Sequence, residues 1–141
     1  MRGLLLAHGE ERADADVARC LKLRPGVPVI RMGTVRKADG RPVSCATTWF
    51  PAEPCAGMPA AYEKTESITR AFAELGLSDY VRATTEITAT HANAGDVAAL
   101  ELTPGAIVLV TKAMNTDLDG VPVQYSISRF SADRVQFTIE N

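Results

Sequence analysis

The sequence contains few of the residues from which catalytic and metal sites are usually assembled. Its two histidines, His8 and His91, lie far apart and in no H-x-x-x-H or H-E-x-x-H arrangement, so the familiar helical zinc pattern is missing. Three cysteines, Cys20, Cys45 and Cys55, form an odd set without a C-x-x-C pair. That argues against a disulfide framework or a zinc ribbon and for a reducing cytoplasm. The ten glycines are never closer than six residues to one another, which removes G-x-G-x-x-G, Walker and G-x-S-x-G loops. Neither a cofactor nor a metal is expected. Apolar runs are short: Leu4 to Ala7 cannot form a signal-peptide core, and no stretch approaches a membrane span. Basic runs are also missing, with 15 Lys and Arg against 17 Asp and Glu and a net charge of -2, so contacts to a nucleic-acid backbone are not expected from these residues.

What is present is an ordinary globular composition, 141 residues with 46% hydrophobic and 23% charged, enough for one domain with one apolar core. Most of the cations are arginine, whose planar fork suits bidentate capture of phosphate or carboxylate. A small anionic ligand fits that bias.

Hydrophobic spacing and turn residues divide the chain. A short strand over 4–10 is followed by a helix from about Asp14 to Leu21, stopped at Pro25-Gly26. Strands over 27–38 and 42–50 flank the Asp39-Gly40 turn, and a proline-rich loop follows from Pro51 to Pro59. Ser67 opens a helix to Leu75, and a strand runs over 80–92 with Arg82, Glu86, Thr88 and Thr90 on its polar face. Asn93 and Asp96 form a capping box for a helix to Leu102. Strands over 107–116 and 122–130 flank Asp119-Gly120, and a last strand is expected over 135–139.

Residues 16–50 and 96–130 share one grammar. Pro25-Gly26 and Pro104-Gly105 are 79 apart, while Asp39-Gly40 with Asp119-Gly120, and Phe50 with Phe130, are 80 apart. A duplicated helix-hairpin unit implies an α+β domain, a mostly antiparallel sheet of about six strands with helices packed on it. A ligand pocket is expected where the halves meet.

Within that frame strand parity sets Arg36 beside Ile30 and Met32, and Arg129 beside Tyr125 and Ile127, on apolar faces. Each arginine either holds an anion or reaches solvent and pairs with Asp39 or Asp133. Ser67, with Thr69 beside it, either caps its helix or cradles a phosphate. Arg82 either pairs with Glu86 in solvent or adds charge to the pocket. The cysteines read as small packing residues, and the Asp14/Asp16 and Asp117/Asp119 pairs as helix-start and turn residues.

The run Leu-x-Pro-Gly-x-Pro-Val-Ile-Arg, the segment Val35 to Val43, the later Asp119 to Tyr125 and the terminal Asp133 to Phe137 together resemble the UTRA domain. That domain is the effector-binding and dimerisation half of HutC-type GntR transcription regulators, with a chorismate-lyase-like fold. The stretches Ala46 to Pro51, Ser67 to Thr69 and Leu77 to Tyr80 are most similar to regulators of phosphonate metabolism. The resemblance implies a cytoplasmic, non-enzymatic homodimer covering 1–141 that senses a small anion and reaches DNA only through a winged helix-turn-helix. Nothing in these residues resembles that helix-turn-helix, so an isolated effector domain is expected.

In sugar-phosphate-responsive relatives two arginines and a helix-start serine hold the phosphate. The corresponding positions here are Thr34, Arg36 and Ser67, with Thr69 at a tyrosine position and Ala46 at a sugar-reading glutamate. The effector implied is therefore a phosphonate or similar small anion rather than a hexosamine phosphate. Arg36, Ser67, Thr69 and Thr34 contact it, with Tyr125, Arg129 and Arg82 as a far wall and replacement charge. A chorismate-lyase-like enzyme and a ligand-free dimerisation module are the alternatives.

Overall fold

The structure is a computed structural model that describes residues 3–140; Met1, Arg2 and Asn141 of the expected domain lie outside the described residues. Six strands form one antiparallel sheet: β1 (Gly3–Arg12), β2 (Pro28–Ala38), β3 (Arg41–Pro51), β4 (Val81–His91), β5 (Ile107–Thr116) and β6 (Pro122–Ser131). Their order across the sheet is β1-β2-β3-β6-β5-β4. Five helices complete the described residues: α1 (Ala15–Leu21), α2 (Ala52–Cys55), α3 (Met58–Thr65), α4 (Ile68–Glu74) and α5 (Ala94–Leu100).

The duplication is written into the pairing. Each half runs strand, helix, hairpin, as β1-α1-β2-β3 and β4-α5-β5-β6. Thr47 lies opposite Ile127 in the β3–β6 ladder, and these two residues are themselves 80 apart, so a pseudo-twofold axis passes between them. The repeat extends beyond what the sequence suggested, to the outer strands. Gly3 pairs with Arg36 as Arg82 pairs with Asn115, and both members of the second pair stand 79 residues after those of the first.

Local chemistry explains the shared elements. Asp14 caps α1 by accepting from the Val17 amide at 2.8 Å. At the equivalent position of α5, Asn93 and Asp96 accept from each other's backbone at 2.8 and 3.0 Å, the reciprocal box the sequence predicts. Both helices end on a left-handed residue, Lys22 and Glu101. The hairpins differ: Asp39 and Gly40 both take positive φ, the backbone of a two-residue turn whose twist matches the strands. The second turn is longer and is folded around the Asp117 carboxylate, which accepts from the amides of Asp119 and Val121.

Two expectations are corrected. The proline-rich stretch after β3 is not wholly a loop: it holds the short α2, broken by non-helical φ and ψ at Glu53, and then enters α3, which accepts Pro59 in its first turn, where a missing N–H costs nothing. Residues 135–140 form no strand. After the 132–134 turn the chain is held instead by Phe137, whose ring meets Phe130 edge-on at 5.1 Å.

The core is divided by the sheet. On one face α2, α3 and α4 pack Cys55, Met58, Tyr62 and Phe72 onto Ile30, Met32 and Phe50. On the other, α1 covers Val29 and Tyr125, and α5 covers Val108 and Val110 through Leu100. The α2–α4 layer lies on the first half, so the same face of the second half is left without a helix.

Candidate functional site

The uncovered floor and the edge of the α3–α4 layer enclose a cavity of about 810 Å³, within the range of small-molecule sites. Met32, Thr34 and Arg36 from β2, Ser44, Ala46 and Thr48 from β3, and Gln124, Ser126 and Ser128 from β6 line its floor, with Thr111, Ala113 and Asn115 from β5. The lining is mostly hydroxyls and amides, with Arg36 and Arg82 as its cations and Glu66 as its acid among the described residues.

The structure brings together Thr34, Arg36, Ser67, Thr69 and Arg82. Arg36 is exposed, and its side chain makes no hydrogen bond or ion pair with any described residue. Its backbone row holds Gly3 on one side and Ser44 on the other. The Tyr62 hydroxyl donates to the Gly3 carbonyl at 2.7 Å, fixing α3 against that row. Burial raises the Tyr62 pKa above its ordinary value, while Arg36 acts in the opposite direction, so the guanidinium is electrostatically felt at the tyrosine. A side chain at position 3 would meet the Tyr62 hydroxyl at 2.7 Å, which explains the glycine there.

Ser67 caps α4, its hydroxyl accepting from the Arg70 amide at 3.2 Å. Thr69 shares a 2.7 Å hydrogen bond with the Tyr80 hydroxyl, and Tyr80 in turn lies 5.1 Å from the Phe72 ring. The α4 start is thereby joined to the approach to β4.

Arg82 lies in the same cavity, contrary to the polar-face assignment from strand alternation. A bulge between Arg82 and Thr84 shifts the β4 register, turning Arg82 to the side of Thr85 and Ile87. Its Nε donates to Asn115 Oδ1 at 2.7 Å and its Nη1 to Thr85 at 3.1 Å. Asn115 and Gln124 belong to this group and were missed in the sequence. The repeat offset was the available signal, since Asn115 stands 79 residues after Arg36 and Gln124 stands 80 after Ser44.

Tyr125 and Arg129 do not join the cavity. They share a face, as their alternation requires, but it is the opposite face of the sheet. Tyr125 stacks on Trp49 at 5.7 Å under α1. Arg129 makes a bidentate pair with Asp96 of α5, at 2.6 and 2.8 Å. Helices cover parts of both sheet faces, so an apolar alternation does not say which side a residue points to. The Arg129 hydrogen bond, opposed by burial and aided by the Asn93 amide, holds the Asp96 carboxyl below its usual pKa. Burial first, and Asp96 second, raise the neighbouring Cys45 thiol. Burial also pushes Cys55 up to about 11, so that thiol is a packing residue rather than a nucleophile. His91 is exposed, with Nδ1 3.3 Å from the Gly105 carbonyl. No group of three or more His, Cys, Asp or Glu among the described residues is placed to hold a metal ion.

Comparison with known proteins fits this geometry. The UTRA domain family matches residues 1–136. An uncharacterised HTH-type transcriptional regulator of Rhizobium meliloti (strain 1021) is 48% identical over 136 residues, covering 96% of this chain and 56% of that protein. The chain thus spans just over half the length of that curated relative. Among solved structures, PhnF from Mycobacterium smegmatis superposes with a TM-score of 0.89 at 23% identity, covering 99% of this chain and 62% of that one. The C-terminal domain of YurK from Bacillus subtilis subsp. subtilis str. 168 gives 0.85 at 19% identity, covering 96% and 93%. These two likenesses speak to the fold, a six-stranded antiparallel sheet with helices of the chorismate-lyase-like kind. With a family match over nearly its whole length and close identity to a curated relative, the chain belongs to the UTRA domain family.

Proposed function

We propose that this chain is the effector-sensing domain of a HutC-type GntR transcription regulator, and that its effector is a small anion, a phosphonate or phosphate ester, held by Arg36. The observation that carries the reading is the Arg36 guanidinium, without a partner among the described residues, in a cavity floored by hydroxyls and amides. A cation in such a place is stabilised by an anion that brings its own acceptor oxygens. Thr34 lies on the same strand face, and the α4 start with Ser67 and Thr69 borders the cavity. The resemblance of the stretches Ala46 to Pro51, Ser67 to Thr69 and Leu77 to Tyr80 to regulators of phosphonate metabolism supports the phosphonate class. No cofactor is invoked.

Effector binding at this edge draws the α3–α4 layer toward the floor and biases one arrangement of the two. In the whole regulator, a cytoplasmic homodimer, that bias reaches DNA through a winged helix-turn-helix supplied outside these residues. The domain is a sensor and not an enzyme in this reading. Among the described residues no helix is long and apolar enough to cross a membrane.

A thermal-shift screen at fixed ionic strength tests it, with phosphate, sulfate, alkylphosphonates, aminoethylphosphonate, sugar phosphates and chorismate on wild type and Arg36→Ala. A ligand at one hundred times its Kd adds about 2.7 kcal/mol, several degrees for a domain of this size. A phosphonate-selective shift lost in Arg36→Ala is expected. Conversion of chorismate to 4-hydroxybenzoate would support the lyase reading instead, and no anion effect in either protein would support a ligand-free dimerisation module.

A further inference from the structure

The pseudo-twofold axis maps the row Gly3, Arg36, Ser44 onto the row Arg82, Asn115, Gln124. Each half thus contributes one arginine to the cavity floor, on the middle strand in the first half and on the outer strand in the second. The two rows are not neighbours. Following the ladders from Arg36 through Ser44, Phe130 and Leu109 reaches β4 at Ala89, seven positions from Arg82. The arginines therefore mark two different parts of one cavity.

The second row is a chain of donors whose direction is set by its first member. Arg82 has only donors to offer, so Asn115 must turn Oδ1 to it, at 2.7 Å. That leaves Asn115 Nδ2 facing Gln124 Oε1, at 2.8 Å. The Gln124 amide is fixed in turn, with its Nε2 donor at the far end of the chain. The charge on Arg82 polarises every link in the same sense. Around it stand Thr85, Thr111 and Ser126, and no carboxylate from β4, β5 or β6 lines the cavity among the described residues.

We propose that the Arg82–Asn115–Gln124 row is a second recognition site in the cavity, built for an acidic oxygen group such as a carboxylate or phosphoryl oxygen. It takes the far end of an elongated effector whose anionic head lies at Arg36. This rests on the sensor reading above and adds to it the class of effector, a molecule with acceptor groups at both ends. A ligand amine would find no counter-charge at this row.

Isothermal titration on the chain separates the two ends. The probes are methylphosphonate, acetate, and ω-phosphonocarboxylates from phosphonoacetate to 6-phosphonohexanoate, on wild type, Arg36→Ala, Gln124→Glu and Gln124→Met. Unliganded melting of each variant verifies folding. The expected result is that one length of phosphonocarboxylate binds at one per chain and about tenfold tighter than methylphosphonate. In both Gln124 variants the ratio of those two affinities falls to about one. If acetate binds beside methylphosphonate, sensitive to Gln124, while no phosphonocarboxylate gains, the row holds a separate small anion and the elongated effector is overturned. If no carboxylate contributes in a Gln124-dependent way, the row is structural and the site is overturned. Methylphosphonate binding that survives Arg36→Ala would instead refute the sensor site, whatever the carboxylate end does.

Discussion

In the first half of the sheet Val17 of α1 sits over the stacked rings of Trp49 and Tyr125. In the second half the equivalent positions hold Asp96 of α5, paired with Arg129 beside Cys45. One backbone arrangement is thus closed by an aromatic stack on one side of the axis and by an ion pair on the other. The opposite sheet face differs as well: α2–α4 cover part of it over the first half, leaving Thr34, Arg36 and Ser44 open to the cavity, and the second half keeps a polar floor with no helix over it. A repeat constrains caps, turns and registers, whereas the side chains between them are free to diverge.

That comparison can be broken most forcefully at the repeated phenylalanines. Phe50 is fully buried under α4 and meets Phe72 edge-on, whereas Phe130 is half-buried at the cavity. Phe50→Ala should cost about 4 kcal/mol in urea denaturation, and Phe130→Ala roughly half as much. Equal losses would mean the α2–α4 layer adds little.

The ion pair comes next. Asp96→Val alone strands the Arg129 guanidinium and should cost about 3 kcal/mol, less than for a deeply buried pair because Arg129 is partly exposed. Adding Arg129→Met gives the second half the first half's apolar solution. The double variant should recover most of that stability, read from the same denaturation curves.

Acid sharpens the same contrast. Because the folded Asp96 pKa lies below its ordinary value, its contribution is present above the unfolded carboxyl pKa of about 4 and is lost as pH falls through the lower folded value. Asp96→Asn should flatten the fall in stability below about pH 4, while Val17→Ala leaves that slope as it was.

The smallest effect tests the equivalence itself. Gly26 and Gly105 both take positive φ with open space around them, so an alanine at either meets only backbone strain. Each substitution should cost about 1 kcal/mol, and the two melting shifts should agree.

Much of this architecture was legible in the sequence because its punctuation is chemical. Pro-Gly stops, Asp-Gly turns and the Asn93–Asp96 box each name a backbone conformation directly, and their 79- and 80-residue offsets expose the repeat. The helices after β3 were hidden because prolines that begin a helix look, in isolation, like prolines that forbid one. Arg82 was assigned to the wrong side because a single bulge reverses alternation, and no residue type announces a bulge. Tyr125 and Arg129 could not be placed because helices cover parts of both sheet faces. Arg36 could be singled out because an arginine in step with Ile30 and Met32 conflicts with a simple core; the structure sets it in the cavity lining, and its guanidinium has no protein partner among the described residues.

The seam between the halves is one ladder, running from the Ser44–Phe130 pair to the Trp49–Tyr125 pair. Helix α1 also crosses that seam to pack on Tyr125 of β6, and Arg134 crosses it to the Pro42 carbonyl, so an effector bound across the floor as proposed would add one more tie between halves that are already knit together. Amide hydrogen exchange along β3 and β6 would then gauge occupancy, slowing as the site fills and readable with no DNA present.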